Sequence, residues 1–265
     1  MPQVIDAHCH IYPDRIAEKA AHATDRFYET LVSYADGKVS TMIEKGSRAG
    51  ITHYVVQSVA TVPEQVGSIN RFIAETVAAH PDSMTGLGTL HPDSPHLRED
   101  FEQILSLGLR GVKLHPDIQR FKIDDYRCLK IYELCEGRLP ILMHTGDHRF
   151  DYSNPNRLRP VLEIFTDLVV VGAHFGGWSV WEDVLATLSG LPNLYVDTSS
   201  TFPFVDDEMA RRLFAHFGED RILFGTDYPM WRPEAELAAI DRMPLTPSAR
   251  EKILWQNAAR LFSIH

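Results

Sequence analysis

The 265-residue sequence predicts an α/β fold, a (β/α)8 TIM barrel, and three observations carry that expectation. Eight short apolar runs suited to buried parallel strands alternate with stretches of helical periodicity. The length sits near the roughly 250 residues usual for such a barrel. Polar, chemistry-bearing side chains recur where the apolar runs stop, and strand ends are where these barrels build their sites. A doubly wound open sheet would show the same alternation, so closure has to be read from three dimensions.

The strands are expected at residues 3–8, 53–58, 84–90, 109–115, 141–145, 169–174, 193–198 and 221–226. Between them, Val66, Ile69, Phe72, Ile73 and Val77 recur at helical spacing after Pro63 and before the stop at Pro81. Phe101, Ile104 and Leu105 do so up to Gly108, Leu158, Val161, Leu162 and Phe165 mark another helix, and Met209, Leu213 and Phe217 one ending at Gly218. The stretch 11–50 is too long for one connection and is expected to hold helices at 16–32 and 39–49, the first placed to cover the barrel mouth. No linker, low-complexity tract or charge block divides the chain, so one domain spanning 1–265 is expected.

Composition narrows the function classes. Apolar residues at 44% and charged residues at 23% are globular values. A net charge of −10 with no basic stripe argues against a nucleic-acid partner. Three cysteines without a CxxC pair imply no disulfide framework, which points to a reducing, cytoplasmic setting. The opening MPQVIDAHCHIYP has no basic leader followed by an apolar run, so no signal peptide is expected. No apolar run approaches the roughly 18 residues of a membrane helix. The expected partner is a small-molecule substrate, with no membrane and with self-association into a homo-oligomer left open.

The strand exits carry the chemistry. His8 and His10 follow the first run, Lys113 and His115 lie on the fourth, His144 on the fifth, His174 on the sixth and Asp227 just after the eighth. Five of the thirteen histidines thus fall where strands end, which scattered surface residues would rarely do. On an extended strand, residues two apart face the same way, so His8 and His10 can aim inward while Cys9 points away. Two such nitrogens, completed by a third histidine and a carboxylate, make a mixed shell suited to Zn²⁺, with Mn²⁺ or Fe²⁺ as alternatives.

The segments DAHCH at 6–10, GVKLHP at 111–116, HTG at 144–146, AHFGG at 173–177, GTDYP at 225–229 and QNAARLF at 256–262 together resemble the amidohydrolase superfamily. They are most similar to its branch of metal-dependent TIM-barrel hydrolases, which also contains aminocarboxymuconate-semialdehyde and resorcylate decarboxylases. The resemblance implies a divalent metal, zinc first, held by His8, His10, His144 and Asp227. It also implies that Asp227 accepts a proton from the activated water, with His174 beside that water or on a second ion. General chemistry agrees, because a divalent ion lowers the pKa of water from about 15.7 to roughly 7. A neighbouring carboxylate can then pass the proton to a leaving group, and His174 as imidazolium or N–H donor could polarise a carbonyl.

Lys113 has two readings under the resemblance. It could be a carbamylated bridge between two ions, together with His144 and His174. Alternatively it is a cation for a substrate carboxylate beside a single ion, the favoured reading because the surrounding motifs resemble the mononuclear branch. The loops after the fifth and eighth strands carry Asp147, His148, Arg149, Tyr152 and Asn154, and Tyr228, Trp231 and Arg232. Of these, Arg149 and Trp231 join Lys113 and His115 as candidate substrate-binding residues. Asp6 reads as a buttress of the first turn or as a hydrogen-bond partner behind a ligand imidazole, and Asn257 as a structural hydrogen-bonder.

The expected activity is metal-dependent hydrolysis of an amide, lactone or ester of a small organic acid, with Asp227 and His174 as the catalytic pair. The alternative is a metal-dependent, non-oxidative decarboxylase of an unsaturated or aromatic acid, which would use the same ligands. A catalytically silent barrel used for binding is the third reading, and the complete set His8, His10, His144, His174 and Asp227 stands against it.

Overall fold

A computed structural model describes residues 3–29 and 33–265. Its strands are β1 (Ile5–His10), β2 (His53–Gln57), β3 (Met84–Gly86), β4 (Gly88–Thr89), β5 (Val112–Leu114), β6 (Ile141–Met143), β7 (Val170–Gly172), β8 (Leu194–Asp197) and β9 (Ile222–Leu223). Each of the eight expected runs holds a strand, and the third is broken at Leu87. There the Leu87 N–H still bonds Val56 O at 2.9 Å, while Gly88 N–H turns to Gly111 O at 2.9 Å, so the two halves bridge their neighbours. All pairings are parallel, in the order β1-β2-β3 and β4 through β9.

The first and last strands meet. Ala7 N–H donates to Phe224 O at 2.9 Å and His10 N–H to Tyr228 O at 2.7 Å, and Cys9 forms a parallel bridge with Tyr228. The ring is therefore closed, as a TIM barrel requires and an open sheet would not allow.

The helices are α1 (Ala17–Tyr28), α2 (Val39–Ala49), α3 (Val66–Ala79), α4 (Leu97–Ser106), α5 (Pro116–Gln119), α6 (Tyr126–Cys135), α7 (Pro155–Ile164), α8 (Trp181–Thr187), α9 (Asp207–Phe217), α10 (Pro233–Asp241), α11 (Pro247–Glu251) and α12 (Asn257–Phe262), with a π-helical turn at Lys252–Gln256. Of the residues expected on apolar faces, Val66 and Ile73 in α3, Phe101 and Ile104 in α4, Leu158, Val161 and Leu162 in α7 and Leu213 in α9 are buried, and Ile69, Phe72, Val77, Leu105, Phe165, Met209 and Phe217 pack partly buried against the same core. Of the helix expected at 16–32, α1 accounts for most, and residues 30–32 lie outside the described residues. Among the described residues no helix is long and apolar enough to cross a membrane.

One layer of side chains fills the barrel: Ile5, Ala7, Val55, Leu87, Leu142, Val171, Ala173 and Leu223, packed with Ala258 and Phe262 of α12. Asn257 Nδ2 donates to Glu219 O at 2.7 Å and Ile222 O at 2.8 Å, so α12 stops the end where β9 begins. The opposite end is left for the site. Period-2 geometry carries the inward face up to that rim: two residues beyond Leu142 stands His144, and two beyond Tyr195 stands Asp197. In β1 the register against β2 slips between Asp6 and Cys9. This bulge lets Ile5 and Ala7 join the interior layer and still turns His8 and His10 to the rim, with Cys9 fully buried in the outer core.

Candidate metal centre and active site

Three donor atoms converge at the open end. His8 Nε2 lies 3.1 Å from His10 Nε2 and 3.3 Å from Asp227 Oδ1, and His10 Nε2 is 3.5 Å from the same oxygen. His8 is held by a carboxylate behind it: its Nδ1 is 2.9 Å from Asp197 Oδ2, a buried pair. A carboxylate oxygen only accepts, so Nδ1 carries the proton and Nε2 turns its lone pair toward the cluster. Asp197 is itself fixed by Ser199 N–H at 3.1 Å and Ser199 Oγ at 2.5 Å. Burial pushes the Asp197 carboxyl up, but His8, His174 and Ser199 outweigh it and bring it to about 2.

A second pair of nitrogens stands on β6 and β7. His144 Nε2 lies 3.0 Å from Gly146 O, and His174 Nδ1 lies 3.0 Å from Ser199 O. Carbonyl oxygens accept only, so each ring has its proton there, and each presents a lone pair to the other across 3.1 Å. Two facing lone pairs repel unless a cation lies between them or near both, so this donor set fits a metal. Three groups of residues have spacing suited to an ion: His8–His10–Asp227, His8–His174–Asp197 and His115–Asp117–His144. The four expected ligands thus do not form one knot. His8, His10 and Asp227 do, while His144 is turned toward His174 by its bond to Gly146 O.

Electrostatics reinforce these states. Burial would raise the Asp227 carboxyl, but the imidazoles of His8, His174 and His10 and the Ser200 hydroxyl hold it well below the usual range. Burial lowers His174 to about 4 despite Asp227 and Asp197. His10 is lowered by burial and then by Lys113, and His144 by burial and then by His115. His174 is accordingly a neutral ring with its only proton committed to Ser199. With Nδ1 turned to Ser199 O, the His174 Nε2 that faces His144 is left as an acceptor or ligand atom. The backbone at His174 (φ 60°) and Asp227 (φ 57°) is left-handed, strain that clusters at sites where side chains must be aimed.

Lys113 is 1% exposed, and its Nζ lies 3.0 Å from His8 Nε2. Burial brings it down to about 8, against the pull of Asp227 and Asp197. His115 stacks on His144 with centroids 3.9 Å apart and 6° between planes, and its Nε2 is 3.0 Å from Tyr28 Oη. Both residues line the cavity of about 790 Å³ that opens over the cluster, as do His8, His10, His144, His174 and Asp227.

Arg149 and Trp231 are not among the residues that line this cavity. Arg149 bonds Asp147 through Nε at 3.0 Å and Nη2 at 2.7 Å, and Phe27 O through Nη1 at 2.7 Å, so it clamps α1 to the loop after β6. Trp231 Nε1 donates to Ser200 Oγ at 2.7 Å, and Ser200 Oγ donates to Asp227 Oδ2 at 2.5 Å. Trp231 is thereby linked to the site carboxylate through a hydroxyl. Asp6 accepts from Thr226 N at 2.9 Å and Thr226 Oγ1 at 2.5 Å, so beyond its bond from His8 N at 3.2 Å it ties β1 to the turn bearing Asp227 and not only the first turn.

Sequence reasoning missed Asp197, Asp117, Ser199, Ser200 and Tyr28. Asp117 Oδ2 is 3.4 Å from His144 Nε2 and accepts from Ser153 Oγ at 2.6 Å, and burial raises it to about 7. The strand-end rule that found His144 applies equally to Asp197, the last residue of β8. For Tyr28, which arrives from α1, no sequence signal was present.

Comparison with known proteins extends these observations. The family pattern described as amidohydrolase matches residues 5–264. An uncharacterised TIM-barrel protein of Bordetella bronchiseptica is 25% identical with a TM-score of 0.83, covering 99% of each chain. A dihydroxybenzoic acid decarboxylase of a Polaromonas species, solved with bound manganese and the inhibitor 2-nitroresorcinol, is 18% identical with a TM-score of 0.75, covering 100% of this chain and 98% of its own. A probable 2-pyrone-4,6-dicarboxylic acid hydrolase of Acinetobacter baumannii, solved with citric acid bound, is 18% identical with a TM-score of 0.67, covering 99% and 100%. The last two share the fold.

Proposed function

From the premise that this chain belongs to the amidohydrolase family, we propose that it is a metal-dependent hydrolase acting on an amide, lactone or ester of a small organic acid. The convergence of His8 Nε2, His10 Nε2 and Asp227 Oδ1 within 3.5 Å, beside an ionised Asp227, carries the reading. His8, His10 and Asp227 would hold the ion, with His144 and His174 offering further lone pairs from β6 and β7. Such an ion, zinc or manganese, supplies Lewis acidity and makes water acidic near neutral pH. Asp227, kept as a carboxylate, takes the proton from attacking water and delivers it to the leaving atom. Ser200 and Trp231 fix the direction from which it does so. Lys113, cationic and dry, pairs with a carboxylate of the substrate, and His115 closes the same wall.

Non-oxidative decarboxylation is the second reading, and the cavity favours it in one respect. Phe27, Ile69, Phe72, Ile118 and Met230 give the walls an apolar and partly aromatic character. Such walls strip water from a carboxylate and suit an aromatic acid, and a dihydroxybenzoic acid decarboxylase solved with bound manganese shares this fold. The metal-loaded protein should be incubated with lactones, amides and hydroxybenzoates while free acid and carbon dioxide are both followed. Hydrolysis predicts new carboxylate without carbon dioxide. Carbon dioxide released from a hydroxybenzoate would establish the second reading and overturn the first.

A further inference from the structure

The cavity is larger than the metal cluster needs, and its charge is opposite to that of the protein. Its lining contains Arg15, Lys19 and Lys113 but a single carboxylate, Asp227, in a chain of net charge −10. Lys113 and Asp227 belong to the cluster at the strand ends. Arg15 and Lys19 do not, and neither lies within 4 Å of a carboxylate among the described residues, whereas Lys38 nearby is paired with Glu18 and Asp36.

Helix α1 sets the distance between the two regions. Ala20, Ala23 and Phe27 line the cavity at helical spacing, so one face of α1 runs along it, with Ile16 just before the helix also in the lining. The C-terminal end of that face meets the wall beside the cluster, with Tyr28 Oη 3.0 Å from His115 Nε2. The N-terminal end carries Lys19, with Arg15 just before it. From Lys19 to Tyr28 the helix rises about 13 Å, at 1.5 Å per residue. The wall between carries Ala20, Ala23 and Phe27 on α1 and Phe72 on α3, with Thr24 the polar side chain on that stretch of α1.

We infer that Arg15 and Lys19 form a distal anion subsite, and that the substrate is an elongated acid whose apolar body separates a second carboxylate from the reacting end. This rests on the reading of the cluster as the reacting end. Lys113 holds charge at that end, and the α1 cations hold charge at the other. Anchors at the two ends of one cavity select for length as well as charge.

Calorimetry on the zinc-loaded protein, with unbranched carboxylic acids as probes, tests the inference. Decanedioate should bind about tenfold more tightly than decanoate, whereas butanedioate, too short to reach both ends, should gain nothing over butanoate. In the Arg15→Ala/Lys19→Ala double variant the decanedioate advantage should vanish while decanoate affinity stays as it was. An advantage that survives in the double variant, or is absent from the wild type, overturns the subsite. His8→Ala should lower metal content and weaken both ten-carbon acids alike. Unchanged metal content there would sink the reading of the cluster while leaving the ratio of the two acids to judge the subsite.

Discussion

The tautomer of one histidine decides much of the chemistry. His8 has its Nδ1 proton tied to Asp197, which frees Nε2 for the cluster. Replacing Asp197 with Asn keeps the shape but lets an N–H face the ring, favouring the wrong tautomer. Zinc affinity measured against a competing chelator should fall roughly 10–100-fold; an unchanged affinity would show that Asp197 only packs. Asp227→Asn should abolish turnover and leave the circular dichroism spectrum intact, since an amide of the same shape still offers an oxygen to the Ser200 hydroxyl. Near-normal activity in that variant would remove Asp227 from proton transfer. The sequence made His8, His10 and Asp227 legible because each sits at a strand end inside a distinctive motif. Asp197 obeyed the same positional rule, but a lone aspartate followed by Thr-Ser-Ser looks like ordinary loop entry.

Among the elements, strands were easiest to read, since buried parallel strands are continuous apolar runs. The break at Leu87 was not, because Gly86 and Gly88 flank it without any change in polarity. Nor could periodicity announce the bulge in β1, which depends on the register with β2. Helix α1 was expected over the mouth, and there its cavity-facing stripe lies. What could not be foreseen was its clamp. Arg149, expected to meet substrate, instead grips Asp147 and Phe27 O, and its guanidinium lies 5.1 Å from the ring centres of both Phe27 and Phe150. Arg149→Ala removes charge-assisted hydrogen bonds worth about 1.5–3 kcal/mol. Amide exchange in α1 should then quicken by about tenfold or more, with β5 to β7 unaffected. Equal exchange rates in α1 of variant and wild type would show that the helix is held by other contacts.

At the scale of the whole molecule, the site draws on stability gained elsewhere. The interior layer and the α12 plug fill one end of the barrel, so the other can hold buried, desolvated polar groups. Those groups make folding pH-dependent. His174 falls to about 4 in the folded protein from an ordinary value of 6.5, through burial first. Between those values the unfolded chain binds the proton and the folded one does not, so stability rises with pH across this window and is lost on acidification. Denaturant titration of metal-free protein should therefore show wild type losing up to about 3 kcal/mol relative to His174→Asn between pH 7 and pH 4, at about 1.36 kcal/mol per unit. A difference independent of pH would mean that His174 is protonated in the fold. The claim on which the rest stands is that His8, His10 and Asp227 hold a divalent ion. Anomalous diffraction from crystals grown with zinc addresses it most directly. A peak is expected about 2.0–2.2 Å from His8 Nε2, His10 Nε2 and an Asp227 oxygen; a crystal with no peak there, or with zinc only at surface residues, would contradict that claim.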